Sequence, residues 1–140
     1  MKVSSRTKDI VSELLQIVIN FTNLRQKLLI ANINNSDSPA FVPKDLPVHE
    51  FSRIISCALQ IYPARRSLVL YDTKHIKFKR FGTFSVTAVA DFKSEKLLTS
   101  NRDVYLQTQI DKLMENALNQ RVAKELLRQK QGFVSIFTDR

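Results

Sequence analysis

The sequence predicts a mainly α-helical protein, with long amphipathic helices at both ends that pair as a coiled coil around a small α+β middle region. Two observations support this class. Apolar residues recur at alternating spacings of four and three in both terminal segments, and a two-residue apolar period replaces that repeat in the middle. With 140 residues, of which 44% are hydrophobic, the chain is large enough to form one structural unit around a core.

The N-terminal segment, residues 1–35, is predicted to be one helix from about Lys8 to about Asn34. Its heptad seam consists of Ile10, Leu14, Ile17, Phe21, Leu24, Leu28 and Ala31. A repeat of 3.5 residues keeps one stripe of a helix facing a partner helix. Val11, Leu15 and Val18 widen this stripe, so we expect the helix to contact more than one neighbour.

The middle region, residues 36–100, is predicted to start with a short helix after Pro47, a residue that suits the first turn. Its apolar stripe is Phe51, Ile54, Ile55, Ala58, Leu59 and Tyr62. Pro63 is expected to end this helix.

A two-residue period then predicts half-buried strands between residues 67 and 92. We expect a β-hairpin of strands Ile76–Arg80 and Thr83–Ala90, with its turn at Gly82. The polar stretch from Lys93 to Ser100 is expected to be a connector.

The C-terminal segment, residues 101–140, is predicted to be a second long helix, capped by Asn101 or Asp103. Its seam is Leu106, Ile110, Leu113 and Ala117, and Asn116 is assigned to it as well. Gly132 costs about 1 kcal/mol relative to alanine within a helix, so a break or cap is possible there.

The composition argues against several classes of site. Two glycines are too few for a Gly-rich phosphate cradle, and Cys57, the lone cysteine, allows neither an intramolecular disulfide nor a cysteine zinc site. His49 and His75 are the two imidazoles. Without paired carboxylates at catalytic spacing or a nucleophile motif, we expect no enzyme activity, no cofactor and no bound metal.

Two further expectations concern localisation. No apolar run approaches the roughly 18 residues of a membrane-spanning helix, so we expect no direct span. Asp9 and Glu13 interrupt the apolar stretch that a cleavable signal peptide requires, so we expect none to be cleaved.

The stretch "LLIANINNSDSPAF" resembles the signature A-N-I-A-N-x-x-T-P-G-[YF] of flagellar axial proteins, the rod and hook family. The residues that match it are Ala31, Asn32, Ile33, Asn35, Pro39 and Phe41. Ser38 replaces threonine, Asn34 replaces alanine and Ala40 replaces glycine. A turn that needs a positive φ would therefore hold Ala40 under some strain.

Two later motifs and a short stretch resemble the proximal rod protein of the bacterial flagellar basal body (FlgB type). After the signature, "VPKDLPVHEF" keeps Lys44, Asp45 and Phe51; "SLVLYDTKHI" keeps Leu68, Leu70, Thr73, His75 and Ile76 without the family's proline. "SNRDVYLQTQIDKLMEN" keeps Asn101, Val104, Leu106, Leu113, Glu115 and Asn116. Tyr105 stands where the family usually has aspartate.

The resemblance implies a structural role. Such subunits leave the cytoplasm through the flagellar type III export apparatus without a cleaved signal, and assemble in the periplasm with other rod subunits and membrane-ring components. The signature residues assigned to assembly are Asn32, Ile33, Asn35, Asp37, Ser38, Pro39 and Phe41. We expect Asn32, Asn35 and Asp37 to face a neighbouring subunit. The alternative is a helix-ending turn without intermolecular contacts.

The alternative function is a small basic nucleic-acid-binding protein, because the net charge is +9. The stretch "KHIKFKR" supplies Lys74, Lys77, Lys79 and Arg80, interleaved with Phe78 and followed by Phe81. A strand of this kind contacts phosphates and stacks bases. No recognised nucleic-acid motif accompanies it, so we favour the structural role, for which no nucleic acid is needed.

Overall fold

A computed structural model describes the backbone of residues 2–138 and the side chains of residues 10–80 and 82–131. The helices in this part of the chain are α1 (Lys2–Asn34), α2 (Val48–Arg65), α3 (Phe92–Ser100) and α4 (Arg102–Thr138). The strands are β1 (Lys44–Asp45), β2 (Ile76–Phe78), β3 (Phe84–Val86) and β4 (Val89–Ala90). The prediction of a mainly helical protein with a small hairpin region is confirmed.

The two long helices lie side by side, and theirs is the most extensive contact between elements in the described part of the chain. The side-chain amide of Asn32 in α1 donates to Gln109 in α4. Thr22 lies earlier in α1, and its carbonyl accepts from Asn116, which lies later in α4. Since residue numbers rise along one helix as they fall along the other, α1 and α4 are antiparallel.

The hydrophobic core lies where α1 meets α2 and the hairpin. Its buried members are Ile17, Phe21, Leu46, Phe51, Ile54 and Ile76. The rings of Phe21 and Phe51 stack with centroids 3.9 Å apart and planes within 7°. Phe78 and Phe84, a facing pair in the hairpin, pack against the same cluster. Burying each such side chain contributes about 1.5–3 kcal/mol, so this core fixes the middle region on α1.

The prediction that Pro63 ends the short helix is wrong, since α2 continues to Arg65. Proline removes one main-chain donor, and in the last turn this leaves a single carbonyl without its helical partner. The Arg66 N–H donates to the Tyr62 carbonyl at 2.7 Å, and Arg66 adopts a left-handed conformation with φ 54°. The helix therefore ends at this C-cap.

The hairpin is present, but its strands are shorter than predicted. β2 and β3 are antiparallel, with Ile76 opposite Val86, and no strand forms at Leu68 or Leu70. The predicted second strand divides, because Val89 and Ala90 pair with Asp45 and Lys44 instead.

The turn of the hairpin requires its glycine. Gly82 has φ +73°, and a Cβ there would lie 3.3 Å from Cδ1 of Ile17. Glycine is the residue that adopts this conformation without strain, and it also lets the hairpin approach α1 closely.

The prediction of a connector from Lys93 to Ser100 is also wrong, because α3 occupies these residues. The carboxylate of Asp91 accepts from the Ser94 N–H at 3.2 Å, which is a side-chain N-cap. Because the stretch is mostly polar, the sequence showed no apolar stripe that would predict this helix. The buried residue of α3 is Ser94. Two smaller differences concern the long helices: α1 begins at Lys2 rather than near Lys8, and α4 continues through Gly132.

The chain reverses after α1 through a turn in which Ala40 has φ 63°. The Phe41 N–H donates to the Ser38 carbonyl at 3.3 Å, so Pro39 and Ala40 are the central residues. Proline followed by a residue with positive φ is the arrangement of a type II turn, which favours glycine at the second position. The expected strain at Ala40 is therefore present.

We predict that Ala40→Gly raises the free energy of unfolding by up to about 1 kcal/mol. Relief of the left-handed conformation is worth about 1–2 kcal/mol, and the greater freedom of glycine in the unfolded chain offsets part of it, about 0.4–1 kcal/mol. Urea unfolding followed by circular dichroism measures the difference. Ala117→Gly, an exposed site within α4, is the control and lowers stability by about 0.5–1 kcal/mol. Equal losses in both variants would contradict the prediction.

Candidate functional site

The first signature asparagine joins three segments of the chain. The side-chain amide of Asn32 donates to the Lys44 carbonyl at 2.8 Å and to Oε1 of Gln109 at 2.9 Å. The Tyr105 hydroxyl donates to the main-chain carbonyl of Asn32 at 2.8 Å. That carbonyl lies in the last turn of α1, where helical donors are missing. Tyr105, at the start of α4, thus supplies a hydrogen-bond donor to a carbonyl at the end of α1.

The network continues from Gln109 to α3. Nε2 of Gln109 donates to Oγ of Ser94 at 2.8 Å, and Oγ of Ser94 donates to the Asp91 carboxylate at 2.6 Å. Gln109 and Ser94 are almost fully buried. Each of these buried groups has a partner, so the network avoids the penalty of about 1–3 kcal/mol for an unsatisfied polar group.

Two carboxylates and two cations close the network on its other side. Nζ of Lys112 lies 2.6 Å from Asp91 and 3.2 Å from Asp45. Arg25 of α1 binds both oxygens of Asp45 at 2.9 Å each. This bidentate geometry is the strongest form of the pair. Arg25 and Lys112 thereby link β1 to both long helices, and Lys112 links the start of α3 to α4.

These cations determine the charge state of the carboxyls. Burial raises the pKa of Asp45, but the hydrogen bonds and charge of Arg25, with Lys112, outweigh burial and lower the pKa below its ordinary value of 3.8. Burial likewise raises the pKa of Asp91, while hydrogen bonds from Lys112 and Ser94 lower it further than burial raises it. Both side chains are therefore carboxylates at neutral pH.

The remaining signature residues line the outside of the same joint. The side-chain amide of Asn35 donates to the Ala31 carbonyl at 2.9 Å, at the end of α1. Asp37 forms an ion pair with Arg102, the first residue of α4. Of the assigned residues, Asn35, Asp37, Ser38 and Pro39 are exposed, Ile33 and Phe41 are half-buried, and Asn32 is buried. The expectation that Asn32 faces a neighbouring subunit is wrong, because Asn32 is buried and its side-chain amide donates to groups within the chain. Asn35 and Asp37 are exposed.

The predicted seam of α1 is largely internal. Ile10, Leu14, Ile17 and Phe21 are buried, Leu28 is half-buried and Leu24 is exposed. The predicted seam of α4 is displaced by one residue. Leu106 and Leu113 are half-buried, and Ile110 and Ala117 are exposed. Asn116 of the predicted seam is buried, together with Tyr105, Gln109 and Ala123, which were not predicted.

The displacement has a physical cause. Successive residues of a helix differ by about 100°, so a seam one residue away faces another direction. The face of α4 against α1 carries polar side chains that find partners there, such as Asn116, whose amide donates to the Thr22 carbonyl at 2.8 Å. An apolar pattern cannot reveal such a face. The available signal was the heptad spacing of Tyr105, Gln109 and Asn116 themselves.

The displaced seam leaves apolar side chains on the outer face of α4. This outer band consists of Ile110, Met114, Leu118, Val122 and Leu126, at successive spacings of four. Met114 is 66% exposed and Leu118 60%. Contiguous exposed apolar residues of this kind mark interaction surfaces.

No family model, curated protein or solved structure matches this chain. Within the described residues, none of the helices has an apolar stretch suited to crossing a bilayer, and no three His, Cys, Asp or Glu residues gather as metal ligands.

In the hairpin that carries the stretch KHIKFKR, the basic side chains are exposed but the aromatic ring of Phe78 faces the core. Lys77, Lys79 and Arg80 are exposed, but Phe78 packs on the core with its ring centroid 5.8 Å from that of Phe84. The side chain of Phe81 lies outside the described residues. Phe78 is thus half-buried against the core rather than fully presented to solvent, as a base-stacking side chain would be.

We predict that Asn32→Ala lowers the free energy of unfolding by about 2–4 kcal/mol, because Gln109 and the Lys44 carbonyl lose a buried donor. Asn35→Ala is the matched control in the same motif, and its exposed bond is worth less than about 1 kcal/mol. Chemical unfolding of both variants measures the contrast. A similar loss of stability in the two variants would contradict the prediction, because the buried bonds of Asn32 would then contribute no more than the exposed bond of Asn35.

We predict that the protein loses stability in acid as Asp45 and Asp91 protonate. Their native pKa values lie below the unfolded ones, so the contribution is complete above about pH 4 and is lost as the pH falls through the native values. Asp45→Asn lowers stability at neutral pH by about 3 kcal/mol, because it breaks a buried ion pair. Its stability also falls less between pH 5 and pH 2. Urea titrations across this range test both points, and an unchanged acid slope in Asp45→Asn would contradict the assignment.

Proposed function

We propose that this chain is a structural subunit of the bacterial flagellar basal-body rod, of the proximal type, which self-assembles in the periplasm and transmits torque for motility. Its partners would be further rod subunits and membrane-ring components. It would reach them through the flagellar type III export apparatus without a cleaved signal. The proposal begins from the resemblance of the signature stretch and the two later motifs to the axial family.

The observation that carries the proposal is the position of the signature at the joint of the terminal helices. Asn32 lies inside the joint, while Asn35 and Asp37 lie outside it, within reach of a neighbour. This arrangement suits a motif that must both fix the angle of a helical pair and set the register of the next subunit. An ordinary turn needs neither property.

The outer band of α4 supports self-assembly. Burying the exposed part of its five side chains contributes on the order of 5 kcal/mol, since a full side chain contributes about 1.5–3 kcal/mol. Association costs about 4–15 kcal/mol in lost freedom. A single such contact is therefore weak, and a stable assembly needs several of them around an axis. We propose that the terminal helices pair as coiled coils in this assembly.

We predict that Leu118→Lys abolishes rod assembly without unfolding the chain, because a charge in the outer band opposes burial against a neighbour. The variant would be expressed in a strain that lacks the native gene. Swimming motility, isolated basal bodies and export of the subunit are then measured. The expected result is normal export with no completed rod and no motility.

Gln107→Lys, an exposed polar site earlier in α4, is the control and should restore motility. Normal motility with Leu118→Lys would remove the outer band from the proposal. A deletion strain that still builds complete rods would overturn the proposed function itself.

A further inference from the structure

The outer edge of strand β3 carries main-chain groups that have no partner among the described residues. The Thr87 N–H donates to the His75 carbonyl at 2.8 Å, which fixes the alternation of bonded and non-bonded pairs in the hairpin. Phe84 and Val86 of β3 fall on non-bonded pairs, so their N–H and C=O groups point away from β2. No described residue forms a hydrogen bond with these outward groups. Such an edge is a template for a further strand.

The opposite edge of the hairpin, on β2, is closed. The Ile76 carbonyl accepts from the Thr73 N–H at 2.9 Å, and the Phe78 N–H donates to the Asp72 carboxylate at 2.8 Å. The residues that precede β2 therefore occupy the outward groups of that strand. A further strand can join this sheet only on the β3 side.

The space beside the β3 edge is an open pocket of roughly 350 Å³. It is bounded by Asn20, Asn23 and Leu24 of α1 and by Thr83 and Phe84 of the hairpin. Side chains alternate between the two faces of a strand, so every second side chain of an added strand lies on the face where Phe84 packs. The volume exceeds that of a roughly 150 Å³ cavity that binds benzene. The pocket therefore accepts one apolar side chain from an added strand.

The solvent face of the hairpin is basic. Lys77 lies opposite Ser85, and Lys79, in extended backbone two residues further on, is directed to the same face. Both lysines are exposed, and neither forms an ion pair with another described residue. Residues 74–90 contain no aspartate or glutamate. Because Ser85 is short, a lysine of β2 can extend across it to an acidic side chain on a strand beside β3.

We infer that the outer edge of β3 binds an extended acidic segment of another protein, which adds a third strand to the hairpin. Main-chain bonds to Phe84 and Val86 supply affinity, and the alternating side chains supply specificity. The acidic side chains of the segment meet Lys77 and Lys79 on the solvent face, and an apolar side chain on the other face enters the pocket beside Leu24.

Charge decides between this occupant and a second copy of the chain. The net charge of +9 makes two copies repel each other, and β3 itself offers no acidic side chain to the lysines of a second hairpin. The same charge attracts an acidic segment. The inference goes beyond the proposed rod function and does not depend on it.

The probe is the fluorescein-labelled peptide Glu-Val-Glu-Leu-Glu-Val-Glu, and fluorescence anisotropy measures its binding to the full-length chain. Two matched peptides carry N-methyl groups on alternate main-chain nitrogens, one on the glutamates and the other on the aliphatic residues. We expect one methylated peptide to bind at least about tenfold more weakly than the unmodified probe and the other to bind as well as the probe. The reason is that only one of the two sets of nitrogens faces β3.

Equal binding of all three peptides overturns the inference, because attraction to a basic face does not depend on the main-chain N–H groups. An equal loss in both methylated peptides, or no binding of the unmodified probe at low salt, overturns it as well. Binding of both methylated peptides that disappears only at high salt assigns the lysines to polyanions in general and likewise excludes strand addition.

Two variants of the chain test the charge and the pocket separately. Lys77→Glu should weaken binding at least about fivefold, and Asn20→Trp, which fills the pocket from α1, at least about tenfold. The matched controls are Lys93→Glu in α3 and Gln26→Trp at an exposed site of α1 outside the pocket, and both should bind as wild type does. Circular dichroism establishes that each variant is folded. Equal effects of a variant and its control overturn the inference.

Sedimentation velocity of the wild-type chain without peptide tests the alternative occupant. A monomer is expected at the concentrations used for binding. A dimer that dissociates when the peptide is added assigns the edge to a second copy and overturns the acidic partner. None of these results bears on the proposed rod function, which the motility of the complemented deletion strain tests separately.

Discussion

The hydrogen bonds of Asn32 hold the end of α1, the start of β1 and the first turns of α4 at one point. The pairing of α1 with α4 and with β1 at this end of the molecule depends on the angle and register set there. An apolar contact in the same place would permit sliding, because hydrophobic attraction has no direction. A buried polar network has defined partners, and a shift by one residue would leave several donors unsatisfied at about 1–3 kcal/mol each.

The same constraint explains why α4 presents apolar residues outward. Its inner face is used by Tyr105, Gln109 and Asn116, whose partners lie on α1 and α3. The apolar residues of the outer band consequently remain exposed. Exposed apolar bands of this kind are typical of interaction surfaces, and for this reason the proposed function assigns the outer band to contacts between subunits.

Strain and charge are concentrated at the same end of the molecule. Ala40 adopts a left-handed conformation directly after the signature proline, and Arg102 ties the neighbouring loop to α4 through Asp37. On the inner side, Arg25 and Lys112 neutralise Asp45 and Asp91. The joint is thus held by ion pairs on both sides of the buried amides, and its outer surface remains polar and accessible.

Local rules were sufficient for the elements whose signals lie in neighbouring residues. The heptad spacing located α1, the Pro39 turn with positive φ at Ala40 followed from the signature, and Gly82 marked the hairpin. α3 was not predicted, because its stripe is short and mostly polar. The pairing of Val89 with Asp45 was not predicted either, because it joins strands that are distant in sequence. On the face of α4 that meets α1, Asn116 was predicted from the sequence, whereas Tyr105, Gln109 and Ala123 were identified only in the tertiary structure. Periodicity measures where apolar residues recur, whereas burial also admits polar side chains once the fold supplies their partners.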